Sequence, residues 1–242
     1  KQGVLLTGTE RMKKRPIKIL VDALNKIGAE ISYTEKDGYP PIKINRKISQ
    51  IKESISIRGD ISSQYISSLL MIAPVLPNGL KIDVMPPFYS KPYVMMTLNL
   101  MKKFGIKYDL SEDSISINNQ EYKSGSYKVE SDWSAASYWY SFISINKKLK
   151  EIKLKGLREH SFQGDQVIKK IMTLFNVETL YDKDGIILRK KDFDCDYLEL
   201  DFKDCPDLAQ TVLVVAAFHK VKLKLYGIES LKIKETDRLK AM

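Results

Sequence analysis

The sequence predicts an α/β protein assembled from a repeated βαβαββ unit, and three observations carry that expectation. First, three segments share one design, in which a polar or acidic opening leads into a nearly all-apolar helix. Second, each of those helices is followed by a short alternating strand. Third, a second, amphipathic helix recurs at steps of 77 and 71 residues, measured between its expected ends at Gly28, Gly105 and Asn176. A period of that length marks a duplicated supersecondary unit rather than a solenoid repeat.

The elements follow in order. Ile17, Leu20, Val21, Leu24 and Ile27 have helical spacing, and Gly28 accepts the left-handed turn that ends the helix. Ser62-Ser63-Gln64 opens the first apolar helix, which runs through Leu69-Leu70-Met71-Ile72 to the alternating strand Leu80 to Val84. Val94, Leu98 and Met101 then form an amphipathic face that stops at Gly105. Asp132-Trp133-Ser134 opens the second apolar helix, with strand Ile152 to Lys155 after it. The third amphipathic helix carries Val167, Ile168, Ile171, Met172 and Phe175, with Asp184-Gly185 marking a tight hairpin beyond it. Pro206-Asp207 leads into Val212-Leu213-Val214-Val215, followed by strand Val221 to Leu225. Helices this apolar are expected to be buried on all sides. The register gives half a unit at residues 1–47, full units near 48–122 and 126–193, and a shortened one to Met242. The polar stretch Asn118 to Tyr127 is the expected hinge, dividing lobes 1–125 and 126–242.

Composition excludes several classes. With 43% hydrophobic residues the chain can bury a substantial core, so disorder is not expected. No apolar run approaches ~20 residues, so no membrane-spanning helix is expected, and the first residues lack the pattern of a secretion signal. The chain does not open with Met, and the expectation is that it starts in mid-protein. Two cysteines, Cys195 and Cys205, fit a cytoplasmic protein with ordinary thiols, and no histidine or cysteine spacing suggests a metal site. The net charge of +10 is compatible with nucleic acid, or with a lysine-rich solvated surface around a pocket for a small anion. Lysines alternating with apolar residues, as in Val221-Lys222-Leu223-Lys224-Leu225, favour the surface reading.

Candidate chemistry concentrates where helices start. Unpaired amides and the positive dipole end make such a start an anion site. Ser62 and Ser63 suit a phosphate there and Gln64 a neighbouring ligand, with capping as the plain alternative. Ser90-Lys91-Pro92-Tyr93 combines a hydroxyl, a cation and a phenol under the same alternative. Arg11, Lys13, Lys14 and Arg15 oppose the dipole of the first helix unless an anion sits among them, or else form a solvated basic turn. In Lys232-Ile233-Lys234-Glu235-Thr236-Asp237-Arg238, a helix starting near Thr236 puts Glu235 and Arg238 on one side, while the alternative is a surface ion-pair ladder. Asp207 is either a first-turn charge or a general base. Trp133, Tyr138 and Trp139 are read as core, and His160 and His219 are given no role.

In this order and spacing, several segments resemble the 3-phosphoshikimate 1-carboxyvinyltransferase family of enolpyruvyl transferases, along nearly all 242 residues. The carriers are Leu6 to Pro16, Gly59-Asp60-Ile61-Ser62-Ser63-Gln64, Ser90 to Tyr93, Val129-Glu130-Ser131-Asp132, Pro206-Asp207 and Lys234-Glu235-Thr236-Asp237-Arg238-Leu239. The resemblance implies an inside-out α/β barrel-like fold of two globular domains, both incomplete in this chain, with ligands between them. It implies that Ser62, Ser63 and Ser90 bind the phosphate of shikimate 3-phosphate, and that Gln64, Tyr93, Asp207 and Lys234 also contact that substrate. Arg11, Gln64 and Arg238 would hold phosphoenolpyruvate. Asp207, Glu235 and Lys234 would move protons. No cofactor, no metal, a monomeric state and a cytoplasmic location are implied with it, and the 242 residues alone are expected to turn over poorly.

Three positions depart from the family pattern. Ser131 stands for a usual glycine, Trp133 for a small residue, and Ser230 for a frequent asparagine, which puts the Ser230 contact in doubt. Two rivals remain. One is the related transferase acting on UDP-N-acetylglucosamine, against which the Ser-Ser-Gln and Lys-Glu-Thr-Asp-Arg segments count. The other is a non-catalytic anion- or RNA-binding module, which leaves Asp207 and Glu235 without purpose.

Overall fold

The computed structural model describes residues 3–45, 48–192, 194–233 and 236–242. The chain divides into two compact units, one formed by Lys1–Tyr89 with Thr97–Gly125 and the other by Ser90–Met96 with Ser126–Met242. Segment Ser90–Met96 groups with the second unit for a local reason. The Ser90 N–H donates to the Lys203 carbonyl at 3.0 Å, and the Tyr93 hydroxyl donates to Asp165.

In the first unit, β1 (Val4–Leu6), helix α1 (Lys18–Lys26), β2 (Ile31–Tyr33) and β3 (Ile42–Ile44) give an antiparallel sheet of order β1-β3-β2. A full βαβαββ copy follows as β4 (Ser54–Arg58), α2 (Ser63–Ile72), β5 (Leu80–Met85), α3 (Lys91–Lys103, of which residues 91–96 group with the second unit), β6 (Asp109–Leu110) and β7 (Ser114–Ile117). Strands β4 and β5 run parallel, as a helical crossover requires, and β7 and β6 return antiparallel in the order β4-β5-β7-β6. Alternation decides which face is core. Ile55 and Ile57 on β4, and Leu80, Ile82 and Val84 on β5, are buried in alternation, as are Ile66, Leu69 and Leu70 of α2.

The second unit contains α4 (Trp133–Ile145), β8 (Glu151–Lys155), α5 (Ile168–Thr173), β9 (Val177–Asp182), β10 (Gly185–Lys190), β11 (Tyr197–Asp201), α6 (Ala209–His219), β12 (Lys222–Tyr226) and α7 (Arg238–Ala241). The order β8-β10-β9 repeats that of β5-β7-β6, and β11 runs parallel to β12 as β4 does to β5. One continuous core includes Trp133, Tyr140, Ile143, Met172, Phe175, Leu188, Phe202, Val212 and Val215. Helices α4 and α6 are bridged at two levels, by the Ser137 and Thr211 hydroxyls at 3.2 Å and by Ser144 Oγ with His219 Nε2 at 2.9 Å.

The same hydrogen bond closes each copy. Where the chain leaves its first strand position, an N–H is tied to the end of the second strand: Gly59 to the Met85 carbonyl (3.0 Å), Ser131 to Gly156 (2.9 Å) and Phe202 to Tyr226 (2.9 Å). The expected helix ends also appear, with positive φ at Gly28 (107°), Gly105 (86°) and Asn176 (52°).

Several expectations need correction. The copy at 126–193 lacks its first strand: residues 120–132 carry neither helix nor strand, and only the Ser131 tie survives. The hairpin turns at Lys183-Asp184, with Gly185 already in β10, because Asp182 Oδ1 accepts the N–H groups of Asp184 and Gly185 (2.8 and 2.9 Å). The apolar helices are not buried all round. Met71 on α2, Tyr138, Trp139 and Phe142 on α4, and Val214 and Phe218 on α6 are exposed. Tyr138 and Trp139 are therefore not core, whereas Trp133 is.

This arrangement makes neighbouring α2 positions unequal. Leu70→Ala should cost about 2–5 kcal/mol of unfolding free energy by cavity formation, and Met71→Ala within roughly 1 kcal/mol, as measured by urea denaturation.

Candidate active site

In the first unit the loop before α2 is held from several sides. Arg58 donates twice to Asp60, at 3.0 and 2.6 Å, and these bonds hold the Asp60 carboxyl below its ordinary pKa against partial burial. Gly59 is required by close approach: a Cβ there would stand 2.8 Å from Val84 Cγ1 and 3.0 Å from both Phe88 Cα and the Pro87 oxygen. Ser62 is extended, with φ −157° and ψ 117°, and its carbonyl starts the helix by accepting the Tyr65 N–H at 3.2 Å. Its side chain makes no capping bond, so the capping alternative is not realised at this serine. Ser62 and Ser63 are half-buried and Gln64 is exposed.

The Tyr65 hydroxyl donates to the Pro16 carbonyl at 2.5 Å, tying the first turn of α2 to the end of the basic segment. That segment is not four bare cations on a helix start. It forms a short 3-10 turn of its own, Met12–Lys14, before α1, and Lys13 pairs with Glu10 (3.3 Å) and Glu35 (3.4 Å). Arg11 is exposed in the same unit.

The second unit gathers its candidates at four helix starts. Ser90 is buried with φ +57°, a conformation unusual for a residue with a Cβ, and its carbonyl accepts the Tyr93 N–H at 3.1 Å in the first turn of α3. The Tyr93 hydroxyl donates to Asp165 Oδ1 at 2.5 Å. The other oxygen of Asp165 accepts a short hydrogen bond from the Ser134 hydroxyl at the start of α4. Asp132 caps that helix in the expected way, accepting the N–H groups of Ser134 (2.8 Å) and Ala135 (3.3 Å). At the start of α6, Asp207 Oδ1 accepts from Arg238 at 2.8 Å, and the same Arg238 nitrogen lies 3.3 Å from Gln210 Oε1.

Electrostatics tie these groups together. Burial raises the Asp165 carboxyl above the ordinary aspartate range; the Ser134 and Tyr93 hydrogen bonds oppose it, while Asp207 and Asp132 add to it. Burial, then the Asp165 charge, raises the Tyr93 phenol far beyond its usual range, with Asp207 and Cys205 contributing. The Cys205 thiol is pushed up to about 12 by burial, with Asp165 next, so it is a poor nucleophile at neutral pH.

The structure thus brings Ser90, Tyr93, Asp207 and Arg238 into one unit and Arg11, Ser62, Ser63 and Gln64 into the other. Lys234 and Glu235 lie outside the described residues. The last helix begins at Arg238 rather than near Thr236, because Asp237 is its cap and accepts the Lys240 N–H at 3.1 Å. The three departing positions have local accounts. The Ser131 hydroxyl donates to the Lys155 carbonyl (2.9 Å) and lies against Gly156, where a Cβ would meet it at 2.3 Å. Trp133 fills core, and Ser230 is buried in a 3-10 turn. Asp165 and Ser134 are the participants the sequence did not reveal. Asp165 reads there as an ordinary acid before an amphipathic helix, and its burial has no local signature. Among the described residues no group of three His, Cys, Asp or Glu is placed to hold a metal ion, and no helix is long and apolar enough to cross a membrane.

Repeated α/β copies whose polar residues cluster at helix starts define a two-unit α/β protein of the βαβαββ class. The profile of the family described as EPSP synthase (3-phosphoshikimate 1-carboxyvinyltransferase) matches residues 1–242, and the chain belongs to that family. A 3-phosphoshikimate 1-carboxyvinyltransferase of Bacteroides fragilis is 45% identical over 238 residues, covering 98% of this chain and 58% of the relative. One from Buchnera aphidicola subsp. Baizongia pistaciae is 42% identical over 244 residues, covering 99% of this chain and 56% of that protein. The chain therefore spans a little over half the length of these curated relatives. The solved EPSP synthase from Acinetobacter baumannii aligns with a TM-score of 0.54 at 15% identity, over 100% of this chain and 73% of that one, and supports the fold. The fold is a partial enolpyruvyl transferase fold.

Two predictions follow from the geometry. Ser62→Ala should change unfolding free energy by no more than roughly 0.5 kcal/mol, since no capping bond is lost; a loss of about 1 kcal/mol in urea denaturation would restore the capping reading. The Asp165 carboxyl, followed by carbon chemical shift against pH, should titrate above ordinary aspartates. The sign is fixed: the folded state binds this proton more tightly than the unfolded chain. Its contribution to stability is therefore full below the unfolded pKa and lost as pH rises through the folded one.

Proposed function

We propose that the protein carrying this chain transfers the enolpyruvyl group of phosphoenolpyruvate to the 5-hydroxyl of shikimate 3-phosphate and releases inorganic phosphate, a step of aromatic amino acid biosynthesis. The supporting observation is the contact of Asp207 with Arg238 at 2.8 Å, in a chain whose relatives bear the name of that transferase. It sets a carboxylate able to take a hydroxyl proton beside a cation suited to a carboxylate or phosphate.

In this reading the first unit contributes Ser62 and Ser63 to the shikimate phosphate, Gln64 to either ligand and Arg11 to phosphoenolpyruvate. The second contributes Ser90, Tyr93, Asp207 and Arg238. Phosphoenolpyruvate arriving at Arg238 competes with Asp207 for the guanidinium, which releases the carboxylate for its role as base. Asp207 then takes the proton of the 5-hydroxyl as the oxygen attacks the central carbon of phosphoenolpyruvate and the methylene carbon gains a proton. The tetrahedral adduct next loses a proton from that methyl group and expels phosphate, which restores the double bond. Lys234 and Glu235 serve these proton transfers. Addition followed by elimination changes no oxidation state overall, so the proposal includes no cofactor. The two lobes at 1–125 and 126–242, a monomeric state and a cytoplasmic location belong to the same proposal.

In the intact protein that carries these residues, phosphate release from phosphoenolpyruvate should require shikimate 3-phosphate. It should fall at least about a hundredfold in Asp207→Ala and Glu235→Gln. A folded wild type that releases no phosphate with both substrates present would remove the proposal.

A further inference from the structure

A buried carboxylate in the second unit has no part in the reaction as described. Asp165 is 1% exposed, and its two oxygens accept from two hydroxyls on different helices, Tyr93 at the start of α3 and Ser134 at the start of α4. An acid held this deep by neutral hydroxyls is a poor device for stability alone, since an apolar set of similar volume joins helices at least as well. Its geometry is informative instead. The backbone N–H of Tyr93 is held by the Ser90 carbonyl at 3.1 Å, and its phenol by Asp165 at 2.5 Å. Tyr93 is thus fixed at both ends, next to a serine in a left-handed conformation.

We propose that Asp165 is a positioning residue that acts through Tyr93 on the binding of shikimate 3-phosphate. The proposal rests on the function given above. Its chemical content goes further. The phenol has one proton, and that proton is given to Asp165, so a ligand group that meets this oxygen must donate to it. It accepts from a ring hydroxyl and is a poor partner for a phosphate or a carboxylate. The Ser90 N–H is already engaged by the Lys203 carbonyl, so the proposed function assigns its hydroxyl to the anion. The two neighbours therefore sort one ligand into an anionic end and a hydroxyl-bearing ring. Replacing the carboxylate by an amide of the same shape puts a donor where one of the two hydroxyls now gives its proton. The phenol proton is then turned outward, or the Ser134 link is lost.

The test uses the intact protein and begins with calorimetric titration of the wild type with shikimate 3-phosphate. A wild type that does not bind it overturns the proposed function itself. Given binding, Asp165→Asn should raise KM for shikimate 3-phosphate roughly tenfold, with kcat and KM for phosphoenolpyruvate within about twofold. In a Tyr93→Phe background the same substitution should add less than about twofold. A lowered thermal midpoint with unchanged KM overturns the positioning role and leaves a structural one. An equal rise in both backgrounds overturns the route through Tyr93. If Asp165→Asn does not fold, Ser134→Ala takes its place, since it removes one of the two bonds on the carboxylate. A rise in KM of roughly threefold supports the proposal and an unchanged KM overturns it.

Discussion

Three helices in this chain, α2, α4 and α6, are so apolar that they must lie against a sheet, and that constraint organises everything else. Their buried faces are mostly apolar, with a few hydroxyls paired between helices, while the candidate serines and acids stand at the first turns. Each first turn is in turn located by one backbone hydrogen bond, which ties the preceding residues to the end of the neighbouring strand at Met85, Gly156 or Tyr226. A one-residue slip at these ties would turn Ser62, Asp132 or Asp207 out of place. The candidate chemistry therefore depends on strand pairing that contains none of it.

Charge follows the same logic. The +10 net charge is an excess of bases that pairing within the chain cannot cancel, but several of the basic side chains lie beside acids. Lys13 sits with Glu10 and Glu35, Lys153 with Asp182 and Asp184, and Arg189 with Glu151. Exposed pairs of this kind contribute little to stability. In the proposed function the pair that matters chemically is Asp207 with Arg238, two neighbours at helix starts.

What the sequence revealed depended on periodicity. The amphipathic helices ended at Gly28, Gly105 and Asn176 as read, because helical spacing and a residue tolerant of positive φ are both local signals. The strand after each apolar helix was legible for the same reason. The missing strand before α4 was not, since pairing there depends on a partner far along the chain. Nor was the exposure of Tyr138 and Trp139, which their aromatic character assigns to the interior. At the candidate site, helix-start serines and Asp207 stood out by residue type, but only coordinates could show that Ser62 does not cap its helix, that Asp207 meets Arg238, or that Asp165 lies buried between two hydroxyls.

The central claim is that serines at helix starts receive the phosphate of a sugar-like acid. The most direct measurement is backbone amide chemical shift in the intact protein during titration with shikimate 3-phosphate, with shikimate as the control. The account predicts that the signals of Ser62, Ser63 and Ser90 move with the phosphorylated ligand and stay in place with shikimate. Equal movement with both ligands, or changes confined to the basic segment around Arg11, would contradict it.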